Sequence, residues 1–67
     1  MSFIEILKDI MIDRNLTQTE LANLINVKQS QVSEWLKGKA KPGYDTLKTM
    51  ALAFNISADY FLGIKEY

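Results

Sequence analysis

Between positions 28 and 37 the chain sets Lys28, Gln29, Ser30, Gln31, Ser33, Glu34 and Lys37 around three apolar residues, Val32, Trp35 and Leu36. The apolar three stand at i, i+3 and i+4 and share one face of a helix, which leaves the polar groups on the rest of its circumference. A merely solvated face favours Glu and Lys in i, i+4 pairs. This one instead offers amides, hydroxyls, ammonium groups and a single carboxylate. Their chemistry is hydrogen bonding at short and medium reach, suited to meeting the polar edge of another molecule.

Other chemistries are closed off. The chain has no His and no Cys, which excludes disulfides and thiolate or imidazole metal sites. Catalysis would have to rest on carboxylates or Lys scattered over helix surfaces, so an enzyme is the weakest reading, and neither a cofactor nor a small-molecule ligand is evident. With 67 residues the chain makes one domain, 1–67, of a size that is marginal unless its core is dense. The hydrophobic share of 48% supplies such a core. No apolar run approaches the roughly 18 residues of a membrane span, and the start "MSFIEILKDI" lacks a basic n-region and a cleavage site. A cytoplasmic protein is expected. Eight basic residues balance eight acidic ones, yet the segment 28–41 holds four Lys and one Glu, a sum of +3 against −3 elsewhere. That local excess makes a directed electrostatic footprint on a neutral chain.

The elements that must carry this face are all helical. "SFIE" sets Ser2 as N-cap and Glu5 at N3, a capping box, followed by a Phe3, Leu7, Ile10 stripe flanked by Ile6 and Met11. "TQTE" repeats the signature with Thr17 and Glu20, and Leu21, Leu24 and Ile25 form the next inner face beside the small Ala22. The third helix runs from about Lys28 to Lys37. Asn15, Asn26 and Asn55 are placed to end helices in the left-handed conformation, and Gly38 to end the third. After the "KAKPG" loop a fourth helix spans Tyr44 to Phe54, with Tyr44, Leu47, Ala51 and Phe54 inward and Met50 beside them. Ser57 caps a short fifth, "ADYFL", which Gly63 closes. The fold is all-α, five short helices in an orthogonal bundle. The second and third are joined through Asn26, Val27 and Lys28 and must turn sharply, as in a helix-turn-helix.

The stretch "LTQTELANLINVKQSQVSEWLKGKAKP", continued by "YDTLKTMALAFNISADYFLG", resembles the phage-repressor-like (Cro/repressor, XRE) helix-turn-helix family. The resemblance rests on the "LTQ" entry, Ala22, Asn26, Val27, Val32, Trp35, Gly38 and Pro42 in register. It implies a lambda-repressor-like bundle and a sequence-specific regulator, of repressor or control type, acting as a homodimer on a palindromic double-stranded DNA operator. The third helix would lie in the major groove. There Gln29 pairs with adenine, Ser30 and Ser33 serve several bases, Glu34 accepts from cytosine, and Lys37 lies on the same outer face. Lys39 and Lys41 on the following loop, and the amides of Gln18 and Thr19 at the start of the second helix, would hold phosphates. Lys28 stands where members often have a short N-cap residue; an ammonium accepts nothing from the helix amides, so Lys28 is expected to reach a phosphate or a guanine. In several members two glutamines cooperate, and Gln18 is accordingly expected to bond a phosphate and to brace Gln29.

Two features depart from the pattern. Members commonly pair an Arg in the first helix with a Glu in the third; Met11 and Leu36 stand there and are expected to touch. The net charge of zero lowers the expected non-specific affinity. The surface of the homodimer is expected between Asn55 and Tyr67. A helix-turn-helix used mainly as a protein-interaction module is the rival reading, in which Ile64 and Tyr67 extend a dimer surface. The chain reads equally as a stand-alone regulator or as the N-terminal domain of a longer one.

Overall fold

The computed structural model describes residues 2–62. It holds five helices, α1 (Phe3–Asp13), α2 (Gln18–Leu24), α3 (Gln29–Leu36), α4 (Tyr44–Phe54) and α5 (Ala58–Phe61), and no strand among the described residues. Hydroxyl caps start three of them. Ser2 Oγ accepts from the Glu5 N–H at 3.3 Å while the Glu5 carboxylate accepts from the Ser2 N–H at 3.1 Å. Thr17 and Glu20 repeat the exchange at 3.1 and 2.9 Å, and Ser57 Oγ accepts from the Asp59 N–H at 3.2 Å.

The first four helices all stop in the same way. Asn15, Asn26 and Asn55 adopt φ of 53°, 59° and 54°, and Gly38 adopts 77°. One residue on, the N–H turns back five residues to a carbonyl: Leu16 to Met11 at 2.8 Å, Val27 to Ala22 at 3.0 Å, Lys39 to Glu34 at 2.9 Å and Ile56 to Ala51 at 3.0 Å. This is the Schellman closure, which satisfies carbonyls that the helix end would leave open. It usually brings an apolar residue back onto the core at the second position past the cap. Leu16, Val27 and Ile56 do so; the corresponding residue after α3 is the exposed Lys39.

The core is Ile6, Leu7 and Ile10 of α1, Leu21, Ala22 and Ile25 at α2, Val32 and Trp35 of α3, Met50 and Phe54 of α4, and Phe61 of α5. Phe3 joins three helices, with its ring 6.3 Å from that of Trp35 at 76° and 6.3 Å from that of Phe61. The edge-to-face geometry suits the ring quadrupoles. Met11 and Leu36, the two apolar replacements, are both partly buried against this core.

Two inward assignments fail. Tyr44 is 81% exposed and Leu24 56% exposed. The buried arc of α4 centres on Met50 and Phe54, so Tyr44 falls at its edge, in the first turn. On α2 the arc runs through Leu21, Ala22 and Ile25; it takes in the small Ala22 and leaves Leu24 outside. The expectations for Gly63, Ile64 and Tyr67, and with them part of the surface assigned between Asn55 and Tyr67, lie outside the described residues. Among the described residues no helix is long and apolar enough to cross a membrane.

Candidate nucleic-acid interface

Of all helix pairs, α2 and α3 pack most extensively, and four residues connect them. Val27 fills the corner, partly buried against the core, and α3 is seated by Val32 and Trp35. Its opposite face is open. Lys28, Gln29, Ser30, Glu34 and Lys37 are exposed and Ser33 is half-buried. Lys39 and Lys41 are exposed on the loop that follows, and Thr19 on the first turn of α2. Lys41 lines a largely apolar groove together with Ser2, Phe3, Ile4 and Pro42.

One contact organises the mouth of the motif. Gln29 Nε2 donates to Gln18 Oε1 at 2.6 Å, a bond between the first residues of α2 and α3. It links two flexible amides and leaves each with free groups. Gln18 keeps its own NH2. Gln29 keeps its Oε1 and one N–H, the two atoms that present a donor and an acceptor side by side.

The two N-termini are finished differently. At α2 the Thr17 N–H and hydroxyl both bond Glu20, and these bonds hold its carboxyl below the ordinary 4.5; Glu5 is lowered in the same manner by Ser2. The N–H groups of Gln18 and Thr19 make no bond among the described residues. At α3 only half a box exists. Gln31 Oε1 accepts from the Lys28 N–H at 3.0 Å, while the Lys28 side chain caps nothing. Gln31 is therefore committed to its own helix, which separates it from its polar neighbours on the exposed face.

Reading the sequence did not single out Arg14. Its guanidinium donates to the Phe54 carbonyl at 3.1 Å and sits 5.1 Å over the Phe54 ring. The charge meets the C-terminal end of the α4 dipole and pins the end of α1 to the end of α4. The one available signal was that this is the chain's single arginine.

A helix-turn-helix family profile matches residues 7–61. HTH-type transcriptional activator BcrR of Enterococcus faecalis is 33% identical over 66 residues, covering 98% of this chain and 32% of that protein. A crystal structure of a transcriptional regulator from Listeria innocua superposes with a TM-score of 0.86 at 27% identity, over 98% of this chain and 62% of that one. The chain thus spans about a third of the length of the curated relative it matches. With the profile covering α2, the turn and α3 together, the chain belongs to the helix-turn-helix family, in its XRE type.

Proposed function

We propose that this domain is a DNA-binding transcriptional regulator that reads double-stranded DNA with α3 in the major groove. The observation that carries the reading is the Gln29–Gln18 bond. A glutamine held in one orientation presents its remaining N–H and its Oε1 to adenine N7 and N6. The free NH2 of Gln18 then donates to a phosphate, so phosphate, brace and base form one directed chain. Ser30 reaches the neighbouring base, and Ser33, Glu34 and Lys37 face the groove further along. Phosphate contacts come from Lys28, Lys39 and Lys41 and from the amides of Gln18 and Thr19. Two of these lysines occupy structural positions that other helices of the domain use for stability: Lys28 stands at an N-cap and Lys39 where Leu16, Val27 and Ile56 are apolar.

Size favours a pair of domains. The Cα extent is 27 × 23 × 21 Å, short of the roughly 34 Å between major-groove faces one turn apart. One copy reads one half-site, and a two-fold homodimer reads a palindromic operator. Repression in the cytoplasm is the proposed action: a dimer seated on an operator that overlaps a promoter excludes the polymerase from it. The relative named an activator is about three times as long, and its printed action belongs to that protein.

Selection of bound sequences from a random duplex pool tests the proposal. The wild type should recover an adenine near the outer edge of each half-site. Gln29→Ala should lose about 1–3 kcal/mol of discrimination there, and Gln18→Ala should weaken all sequences and also blur that position. An unchanged base preference for Gln29→Ala would sink the reading. Affinity for a protein partner in place of DNA would respond little to salt, whereas DNA affinity falls steeply through counterion release.

A further inference from the structure

The groove that Lys41 lines has polar side chains of one kind only. Its volume is about 430 Å³, within the roughly 300–1,000 Å³ of small-molecule sites. Its walls are apolar: the buried rings of Trp35 and Phe61, the half-buried Ile4 and the exposed Leu62. Each polar side chain on it has a hydrogen to donate. Lys41 brings an exposed ammonium. Ser2 Oγ already accepts from the Glu5 N–H, which leaves its own O–H to give. The third donor is the indole N–H of Trp35. It makes no hydrogen bond among the described residues. No buried polar side-chain atom among those residues lacks a partner, so the 3% of Trp35 that stays open includes this N–H. No carboxylate lines the groove among the described residues. Glu5, which bonds the Ser2 N–H, is committed to its cap.

From this donor set we infer that the groove is a binding site for a small amphipathic organic acid. The apolar body lies against Ile4, Leu62 and the rings, the carboxylate meets Lys41, and the Trp35 and Ser2 hydrogens go to its oxygens. A neutral molecule of the same shape leaves the ammonium without a counter-charge, and a cationic one is repelled. Lys41 cannot hold a carboxylate and a phosphate at once, so the ligand also lowers DNA affinity, and DNA lowers ligand affinity by the same factor. That consequence rests on the DNA-binding reading; the site itself does not.

The test titrates the protein with sodium hexanoate, 1-hexanol and hexylammonium chloride at pH 7 and follows ¹⁵N-resolved NMR spectra. Trp35 is the chain's one tryptophan, so a single indole signal reports on it. Hexanoate should move that signal and the amides of Ile4, Ala40, Lys41 and Leu62 saturably, with roughly millimolar affinity. Hexanol should bind about two- to five-fold more weakly, and hexylammonium should not saturate. Lys41→Gln should bring hexanoate to the affinity of hexanol, with an unchanged urea midpoint because the side chain is exposed. Equal affinity of the wild type for hexanoate and hexanol overturns the inference, as does a response absent or spread away from the groove. Nuclear Overhauser contacts from residues 63–67 into the groove of the free protein would assign it to the chain's own end. Shifts of the same amides with protein concentration alone would assign it to a second copy. Either result overturns the inference. On a random-sequence duplex, hexanoate should weaken wild-type binding by about two- to five-fold relative to equal sodium acetate and leave Lys41→Gln unaffected. Unchanged wild-type DNA affinity beside intact hexanoate binding overturns the coupling. If the wild type binds no duplex, the failure belongs to the DNA-binding reading, and the spectra still decide the site.

Discussion

The helices α2 and α3 are nearly equal in length and packed on each other, yet their ends are built to opposite purposes. α2 starts on a complete Thr17–Glu20 exchange and closes by folding Val27 onto the core. α3 starts on Lys28, which caps nothing, and closes on Lys39, which stays in solvent. Each lysine forgoes a local stabilisation: an N-cap is worth about 1 kcal/mol, and the apolar contact past a Schellman end is a further gain. α3 is held in place instead by its middle. Val32 and Trp35 anchor it from below while α2 braces its first residue through Gln18. A helix built this way is firmly seated and chemically open at both tips, as the proposed reading of α3 requires.

The largest effect should come from removing the anchor. Trp35 is 3% exposed and meets Phe3 edge to face. Trp35→Ala should cost about 3–5 kcal/mol, close to the whole stability expected of a domain this small. Urea unfolding or circular dichroism should show a largely unfolded population. Leu24→Ala on α2, at an exposed site, should stay within about 0.5 kcal/mol. Equal losses for the two would mean that α3 is not anchored as described.

A second effect concerns the apolar replacements on α1 and α3. Leu36 is partly buried against the core, so Leu36→Glu should destabilise by about 1–3 kcal/mol. Adding Met11→Arg should recover part of that loss if the two positions are adjacent. A double-mutant cycle then gives a coupling of about 0.5–3 kcal/mol, and additive losses would place the two side chains apart.

Lys28→Ser should move stability and function in opposite directions. The hydroxyl completes the half box that Gln31 already provides and should add about 1 kcal/mol, a rise in melting temperature of about 4–8 °C for a domain of this size. DNA affinity should fall, with a salt slope lower by about 1. Stabilisation with unaltered DNA affinity would return Lys28 to the role of a plain surface residue.

The starts and stops of the helices were legible because their chemistry is local. Ser or Thr three residues before Glu, and Asn or Gly at a left-handed position, act within a single turn, and Asn15, Asn26, Gly38 and Asn55 all adopt positive φ. The inward positions of Tyr44 and Leu24 were misread because periodicity identifies a face but not the angle at which it is centred. Packing against other helices sets that angle, and Ala22 let α2 turn so that Leu24 points out. The Arg14–Phe54 bond spans 40 residues of sequence, beyond any local pattern. The Gln18–Gln29 bond lay between the two cases: eleven residues separate the pair, and the family resemblance, rather than the spacing, pointed to it. The exposed Lys39 could have been noticed, since the residue following Asn15, Asn26 and Asn55 is apolar each time.

The smallest effect separates the two helix starts by pH. The Thr17 N–H, and then its hydroxyl, hold the Glu20 carboxyl below the ordinary 4.5. A group whose folded value is depressed contributes stability that is complete above its unfolded value and is lost as pH falls through the folded one. The start of α2 should therefore weaken in acid. The matching acceptor at α3 is the amide of Gln31, which does not titrate, so the start of α3 should not. Glu20→Gln converts the first case into the second. It keeps an acceptor for the Thr17 N–H and removes the charge that favours the helix N-terminus. At pH 7 the wild type should have the higher urea midpoint. The gap should narrow from about pH 4.5 downward and close once the carboxyl is protonated in the folded state. Glu5, which behaves like Glu20, is present in both proteins and cancels in the comparison. Gln31→Glu should open the corresponding gap at α3. A wild-type advantage over Glu20→Gln that stays constant down to pH 3 would show that the Thr17 bonds do not favour the charged carboxylate.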